Sequence, residues 1–253
     1  MSIEATRSDA GVVEVVVDVP PVNALRSDHW FQLAELITRD GSHPEARVLI
    51  LRAEGKGFNA GVDIKELADD DTHEVLIGVN RGCYAAFAAV YDCPVPVIAA
   101  VQGFCVGGGI GLVGNADIVV ASEDAFFGLP EVDRGALGAA THLSRLVPPL
   151  KMRAMVYLSE NATAQELHAY GSVYEVVPAE ALVTKARAIA AQLVKKSPYV
   201  LRRAKESLNG IDPVDVKRSY RFEQGLTYEL TLKGIADEAR QAFVEGRDAE
   251  YDQ

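Results

Sequence analysis

The sequence is short of cysteine, of positive charge and of long apolar runs. Its three cysteines (Cys83, Cys93, Cys105) are an odd number, with no CxxC and no metal-ligand spacing. That argues against a disulfide framework or a zinc-type cluster, and reduced, buried thiols are the reading; no metal is expected. The five histidines (His29, His43, His73, His142, His168) form no HxxxH or other ligand pattern. His142 alone lies near a candidate site segment, and it reads as a core or helix-surface residue. With 25 Lys and Arg against 36 Asp and Glu, the net charge is -11. Neither nucleic acid nor an anionic membrane is an expected partner, because both need a basic face. A small anionic ligand needs only a local positive site and stays open. The longest apolar stretch, residues 94–101, is far short of the roughly 20 that span a bilayer. Residues 1–11 hold no basic segment followed by an apolar run, so a cytoplasmic location is expected. There is no internal repeat and no low-complexity linker.

What remains is an ordinary globular composition, 49% hydrophobic and 24% charged over 253 residues. That length suits one large domain with a small appendage. Residues 12–18 are a β-branched run and read as a strand, stopped by Pro20 and Pro21. Residues 27–40 place Trp30, Leu33, Ala34 and Ile37 at helical spacing, with Ser27 or Asp28 as N-cap. Buried strands are expected at 48–51, 95–101 and 118–121, and a helix at about 74–91. The alternation argues for an α/β core with crossover connections. From Leu150 the chain reads as almost all helical, with Ser197-Pro198 as a helix start and further helices near 213–230 and 235–244. The expected division is a core over 1–195 and a C-terminal helical region over 196–253.

Three segments hold the candidate chemistry. Gly57 to Glu66 leaves a buried strand with small residues where the main chain must turn, which lets a ligand approach it. Gly103-Phe104-Cys105-Val106-Gly107-Gly108-Gly109 follows another strand and opens a helix, where backbone N–H groups are unpaired. Phe127-Gly128-Leu129-Pro130-Glu131-Val132 puts one carboxylate in a turn between apolar neighbours. Two amides aimed at one oxygen make an oxyanion hole. A glutamate in apolar surroundings has its pKa raised toward the working pH and suits a general base. Gly109-Ile110-Gly111-Leu112-Val113-Gly114 fits G-x-G-x-x-G, but the next strand follows almost at once, which does not suit a dinucleotide unit.

Taken together, these segments resemble the crotonase (enoyl-CoA hydratase/isomerase) superfamily. Residues 58–66 resemble its first oxyanion segment, 103–109 its second, 127–132 its strand-end glutamate segment, and Pro21-Val22-Asn23-Ala24-Leu25 its coenzyme A turn. The resemblance implies a spiral of ββα units, a C-terminal helical trimerisation region, and a homotrimer or dimer of trimers. It implies Glu131 as the base and the N–H groups of Ala60 and Gly108 as oxyanion donors. It also implies coenzyme A contacts near Val22, Ala24, Phe58, Asp63, Ile64 and Lys65, with Phe243 reaching the nucleotide of a neighbouring subunit. The ligand is an acyl-CoA thioester; coenzyme A belongs to the substrate, and no separate cofactor is expected.

One position departs from the hydratase pattern. Hydratases of this family carry a first glutamate three residues after the oxyanion glycine, and here that position is Gly111. Simple hydration is therefore not expected, and Gly111→Glu is expected to restore some of it. Asn80-Arg81-Gly82-Cys83-Tyr84, residues 111–117, Glu131-Val132-Asp133-Arg134-Gly135-Ala136-Leu137-Gly138 and residues 219–225 resemble a bacterial steroid-degradation subgroup. Its members open a ring of a bicyclic CoA thioester. On that resemblance, Glu131 activates water against a ring ketone and the oxyanion hole holds the resulting enolate. Gly111, Asp133, Arg134 and Gly138 are candidates for the substrate pocket. Double-bond isomerisation or hydration of an enoyl-CoA, and a non-catalytic acyl-CoA binder, remain the alternatives.

Overall fold

The computed structural model describes residues 2–68 and 73–251. The chain opens with a hairpin of β1 (Ser2–Arg7) and β2 (Val12–Asp18), then α1 (Ser27–Gly41) and β3 (Val48–Ala53). A short α2 (Ile64–Ala68) and the long α3 (Glu74–Asp92) follow. Next come β4 (Val97–Val101), β5 (Phe104–Val106), α4 (Gly108–Val113), β6 (Ile118–Ser122) and β7 (Phe126–Gly128). Then come a 3-10 turn (Pro130–Arg134), α5 (Ala140–Leu143), α6 (Pro149–Leu158), β8 (Asn161–Thr163), α7 (Ala164–Tyr170) and β9 (Glu175–Val177). Four helices end the chain: α8 (Leu182–Leu193), α9 (Pro198–Gly210), α10 (Val216–Leu232) and α11 (Ile235–Glu245).

The main sheet runs β1-β2-β3-β4-β6-β9, antiparallel only at β1–β2. Strand side chains alternate between the two faces, so one sheet feeds two cores. Leu49, Leu51, Val97, Ala99 and Val101 pack with α1 and α3, and Val48, Ile50, Ile98 and Ala100 pack with α8. After each inner strand the chain enters a second layer before turning helical. That layer contains β5, β7 and β8, with single bridges Asn59–Cys105 and Leu25–Val62 extending it toward the N-terminus. The repeat of main-sheet strand, second-layer strand and helix is the ββα spiral.

The structure departs from the sequence reading at several points. The edge strand β1 is polar on its outer face, which hid it, and β8 and β9 interrupt a region expected to be helical. The N-cap of α1 is Arg26, with no side-chain cap bond. The Ser27 N–H donates instead to the Glu66 carboxylate at 2.9 Å, a partner 39 residues away. Ser197 precedes Pro198 at the start of α9 as expected, but its side chain caps nothing. Lys205 on α9 is buried and is matched by Asp117 at 2.6 Å, as a charge at that depth must be. Residues 216–245 are not an appendage: α10 packs on α3 and α5, and α11 packs on the 3-10 turn. Among the described residues no helix is long and apolar enough to cross a membrane.

Candidate active site

Two asparagines hold the first loop. Asn23 accepts from the Val19 N–H at 2.8 Å and donates to the carbonyls of Glu54 (2.8 Å) and Gly57 (2.9 Å). Asn59 donates to the Asn23 carbonyl at 2.6 Å and accepts from the Gly61 N–H at 2.8 Å. With both side chains satisfied and buried, residues 59–63 have little freedom.

The hydrogen bonds here correct one expected oxyanion donor. The Ala60 N–H donates to the Val22 carbonyl at 3.2 Å and is not available. The extended chain beyond it pairs with Leu25 through the Gly61 carbonyl and the Asp63 N–H. Successive N–H groups of a strand point to opposite sides, so the Val62 N–H faces away from Leu25. Among the described residues it has no acceptor, and neither does the Gly108 N–H at the start of α4. The two loops touch: a Cβ added to Gly61 would lie 3.1 Å from the Gly108 nitrogen. Val62 and Gly108 are therefore the pair of unspent amides.

Glu131 sits in the 3-10 turn that leaves β7. Its carboxylate lies against Gly107, where an added Cβ would come within 2.9 Å of Oε1. Gly107 also has φ 57°, which disfavours any side chain there. The Glu131 residue is half-buried, yet its Oε2 is closed off from solvent and has no hydrogen-bond partner. Burial pushes its pKa up to about 8; the Glu223 carboxylate adds to this, while its own backbone N–H and Arg134 oppose it. Glu223 is itself raised by burial and is held by the N–H groups of Ala140 (3.0 Å) and Thr141 (2.8 Å). A base with this pKa is mostly protonated at pH 7. Below pH 8, kcat/KM should therefore rise about tenfold per pH unit, then level off. A profile flat from pH 6 to 9 would show that Glu131 does not act as the base.

These groups face one cavity of about 340 Å³. Val62 and Ile64, Gly107 and Gly108, and Glu131 form its chemical end. One stripe of α3 (Leu76, Val79, Asn80, Cys83, Phe87) forms a wall, at the spacing of a single helix face. Tyr220, Thr227 and Thr231 of α10 and Ala236, Arg240 and Phe243 of α11 close it. The Arg134 guanidinium stacks on the Phe243 ring, 3.8 Å from its centroid. Phe243, expected to reach a neighbouring subunit, thus lines the cavity of its own chain.

Of the other expected residues, Ala60, Ile64, Arg134 and Gly138 line the cavity. Asp133 is exposed outside it. Val22 and Ala24 lie on the adjoining surface, reached through the Val22–Ala60 bond, and Asp63 caps the Lys65 N–H at 3.1 Å beyond it. The Phe58 ring is buried in the core, and its N–H is shared between the carbonyls of Gln102 and Phe104. Gly111 is no part of the pocket. A Cβ there would fall 2.2 Å from Phe87 Cζ, so the Phe87 ring fills the space a glutamate would need. His142 is a core residue with neither ring nitrogen bonded, its pKa lowered to about 3 by burial. Sequence reasoning missed Val62, Asn80, Tyr220 and Glu223. Asn80, Tyr220 and Glu223 did fall in segments that resemble the ring-opening subgroup, and Asn80 is also a lone amide on the apolar stripe of α3.

Residues 7–253 match the profile described as enoyl-CoA hydratase/isomerase. A protein of Rhodococcus jostii is 62% identical over 97% of this chain and 95% of its own. It is described as (7aS)-7a-methyl-1,5-dioxo-2,3,5,6,7,7a-hexahydro-1H-indene-carboxyl-CoA hydrolase. A protein of Mycobacterium tuberculosis with the same description is 57% identical over 96% of this chain and 99% of its own. A solved enoyl-CoA hydratase from Mycobacterium avium subsp. paratuberculosis shares the fold, with TM-score 0.87 at 24% identity over 99% of this chain and 98% of its own. On that full-length match, the chain belongs to the enoyl-CoA hydratase/isomerase family.

Proposed function

We propose that this chain is an acyl-CoA hydrolase that opens a ring of a bicyclic β-oxo CoA thioester in steroid breakdown, by retro-Claisen cleavage of a carbon–carbon bond. The observation that carries the reading is the single unpaired carboxylate oxygen of Glu131, in the same cavity as two unspent amides, with Phe87 in the place of a second carboxylate. The Rhodococcus jostii and Mycobacterium tuberculosis relatives support it, since both are described as hydrolases of a dioxo indene CoA thioester.

The chemistry needs one base and one oxyanion hole. Glu131 takes a proton from water, and the hydroxide adds to a ring ketone. In the relatives' compound the oxo group at position 1 adjoins the fusion carbon 7a. When the bond between these carbons breaks, the electron pair passes through conjugation toward the thioester. The thioester oxygen then carries negative charge and sits between the N–H groups of Val62 and Gly108. A donor of this kind is worth roughly 3–4 kcal/mol in known cases. The proton on Glu131 returns to carbon. One water is consumed, one carboxylic acid appears, and the CoA thioester is kept.

The coenzyme A moiety is assigned to the mouth of the cavity, beside Arg134, Arg240 and Phe243, and to the main chain near Val22, Ala24 and residues 63–65. Exposed apolar side chains on α9 and α10 (Tyr199, Val200, Leu208, Phe222, Leu232) support a homotrimer or dimer of trimers. A cytoplasmic location suits an enzyme of CoA thioesters. The test is mass-spectrometric, with the bicyclic dioxo CoA thioester, crotonyl-CoA and a linear 3-enoyl-CoA offered separately. A gain of one water on the bicyclic compound with coenzyme A retained is the expected result. Turnover of the linear thioesters alone would replace the reading with hydration or isomerisation.

A further inference from the structure

We propose that Asn80 is a second oxyanion donor, whose side-chain N–H holds the oxygen of the ring ketone while water adds to it. The assignment rests on the ring-hydrolysis reading above. Among the described residues lining the cavity, two carry a buried polar side-chain atom with no hydrogen-bond partner: Glu131 Oε2 and Asn80 Nδ2. One is an acceptor and the other a donor. Buried polar atoms are almost always paired, and an orphaned donor costs stability. Two orphans of opposite kind in one cavity match the two polar needs of the step, a proton acceptor for water and a donor for the ketone.

The polar side chains that α10 and α11 bring to the wall are committed. The Thr227 hydroxyl is engaged with Leu137, and the Thr231 hydroxyl donates to the Thr227 carbonyl at 3.0 Å. The Arg240 guanidinium is held by Asp237. The Tyr220 hydroxyl interacts with Gln224 and the Cys83 thiol. Asn80 is 9% exposed, and its main chain is fixed: its carbonyl accepts from Gln224 Nε2 at 2.7 Å, tying α3 to α10. Cys83, one turn along the same face, lies close enough to Glu131 to be affected by its charge. So the amide lines the same cavity as the base, on a rigid element.

Glu131 Oε2 removes one proton of water, and the hydroxide oxygen bonds to the ketone carbon. The carbonyl π pair moves onto the ketone oxygen, which becomes an alkoxide held by Asn80 Nδ2–H. The π bond then re-forms and the carbon–carbon bond breaks. Its electron pair goes to the enolate held by the backbone amides, and the Glu131 proton quenches it at carbon.

The test compares wild type with Asn80→Leu, which keeps the branched shape of the side chain and the main-chain bond to Gln224. Two ligands are used, the dioxo CoA thioester and its analogue with a methylene in place of the attacked ketone. The variant should lose about 10²- to 10³-fold in kcat, the range for removal of one oxyanion donor. Its affinity for the methylene analogue should stay within threefold of wild type, and its Tm should not fall, because no bond is lost. If wild type hydrolyses the ketone and Asn80→Leu does so within threefold, the assignment is overturned and ring hydrolysis stands. If wild type does not hydrolyse it, the hydrolysis reading falls and binding decides on Asn80. A tenfold preference for the ketone that disappears in the variant keeps the donor; equal affinities overturn it.

Discussion

Glu131→Gln should lower kcat on the bicyclic thioester by at least about a hundredfold, the low end for loss of a general base. Glutamine keeps the volume and planar shape of the side chain, so thioester affinity should change by no more than a few-fold. What it removes is basicity at Glu131 Oε2, a buried carboxylate oxygen with no partner among the described residues. The same variant should be the more stable protein at neutral and higher pH. The carboxyl has a pKa of about 8 in the fold against a usual 4.5, so the native state binds the proton more tightly than the unfolded chain. Wild-type stability from this group is full below about pH 4.5 and is lost as pH rises toward 8. The Tm advantage of Glu131→Gln should therefore be small at pH 4.5, grow up to pH 8 and then level off. Near-normal turnover, or a Tm difference independent of pH, would remove Glu131 from the role of a buried base.

Gly111→Glu should not give a hydratase; it should give a damaged protein. The sequence comparison treats Gly111 as a missing carboxylate that a substitution restores. In the structure the first atom of any side chain there meets three atoms of the Phe87 ring between 2.2 and 2.6 Å. The ring has no easy way to yield. It packs edge-on against Trp30 at 5.6 Å and His142 at 5.1 Å, and tilted against Tyr220 at 5.1 Å. Overpacking of a close-packed core costs about 1–3 kcal/mol for added methylenes, and a buried carboxylate without a partner adds to that. Gly111→Glu should unfold at least about 3 kcal/mol more readily in denaturant. Pairing it with Phe87→Ala vacates the space, so any hydration of crotonyl-CoA should appear only in the double variant. A stable, crotonyl-CoA-hydrating Gly111→Glu single variant would show that Phe87 does not hold this space.

The order of elements and the three site segments were legible because they rest on local patterns. The β-branched run of β2, the continuous apolar run of β3, the helical stripe of α1, and glycines beside a lone turn glutamate need no partner to be recognised. What stayed hidden depends on contacts far apart in sequence. Whether Ala60 or Val62 offers the open N–H is decided by pairing with Val22 and Leu25, some 38 residues earlier. At the start of α1 the Ser27 N–H is met by the distant Glu66, and only the His29 N–H is met locally, by Asp28. Gly111 reads as an empty place until Phe87, 24 residues earlier, is seen to fill it. The C-terminal helices read as a surface for another subunit, yet Tyr220 and Phe243 wall the cavity of their own chain.

The most direct measurement is a single turnover of the bicyclic dioxo CoA thioester in water enriched with oxygen-18, read by mass spectrometry. Addition of water to the ring ketone places one heavy oxygen in the new carboxylate and leaves the CoA thioester intact. Heavy oxygen in a secondary alcohol, or free coenzyme A with the ring closed, would contradict ring hydrolysis by Glu131.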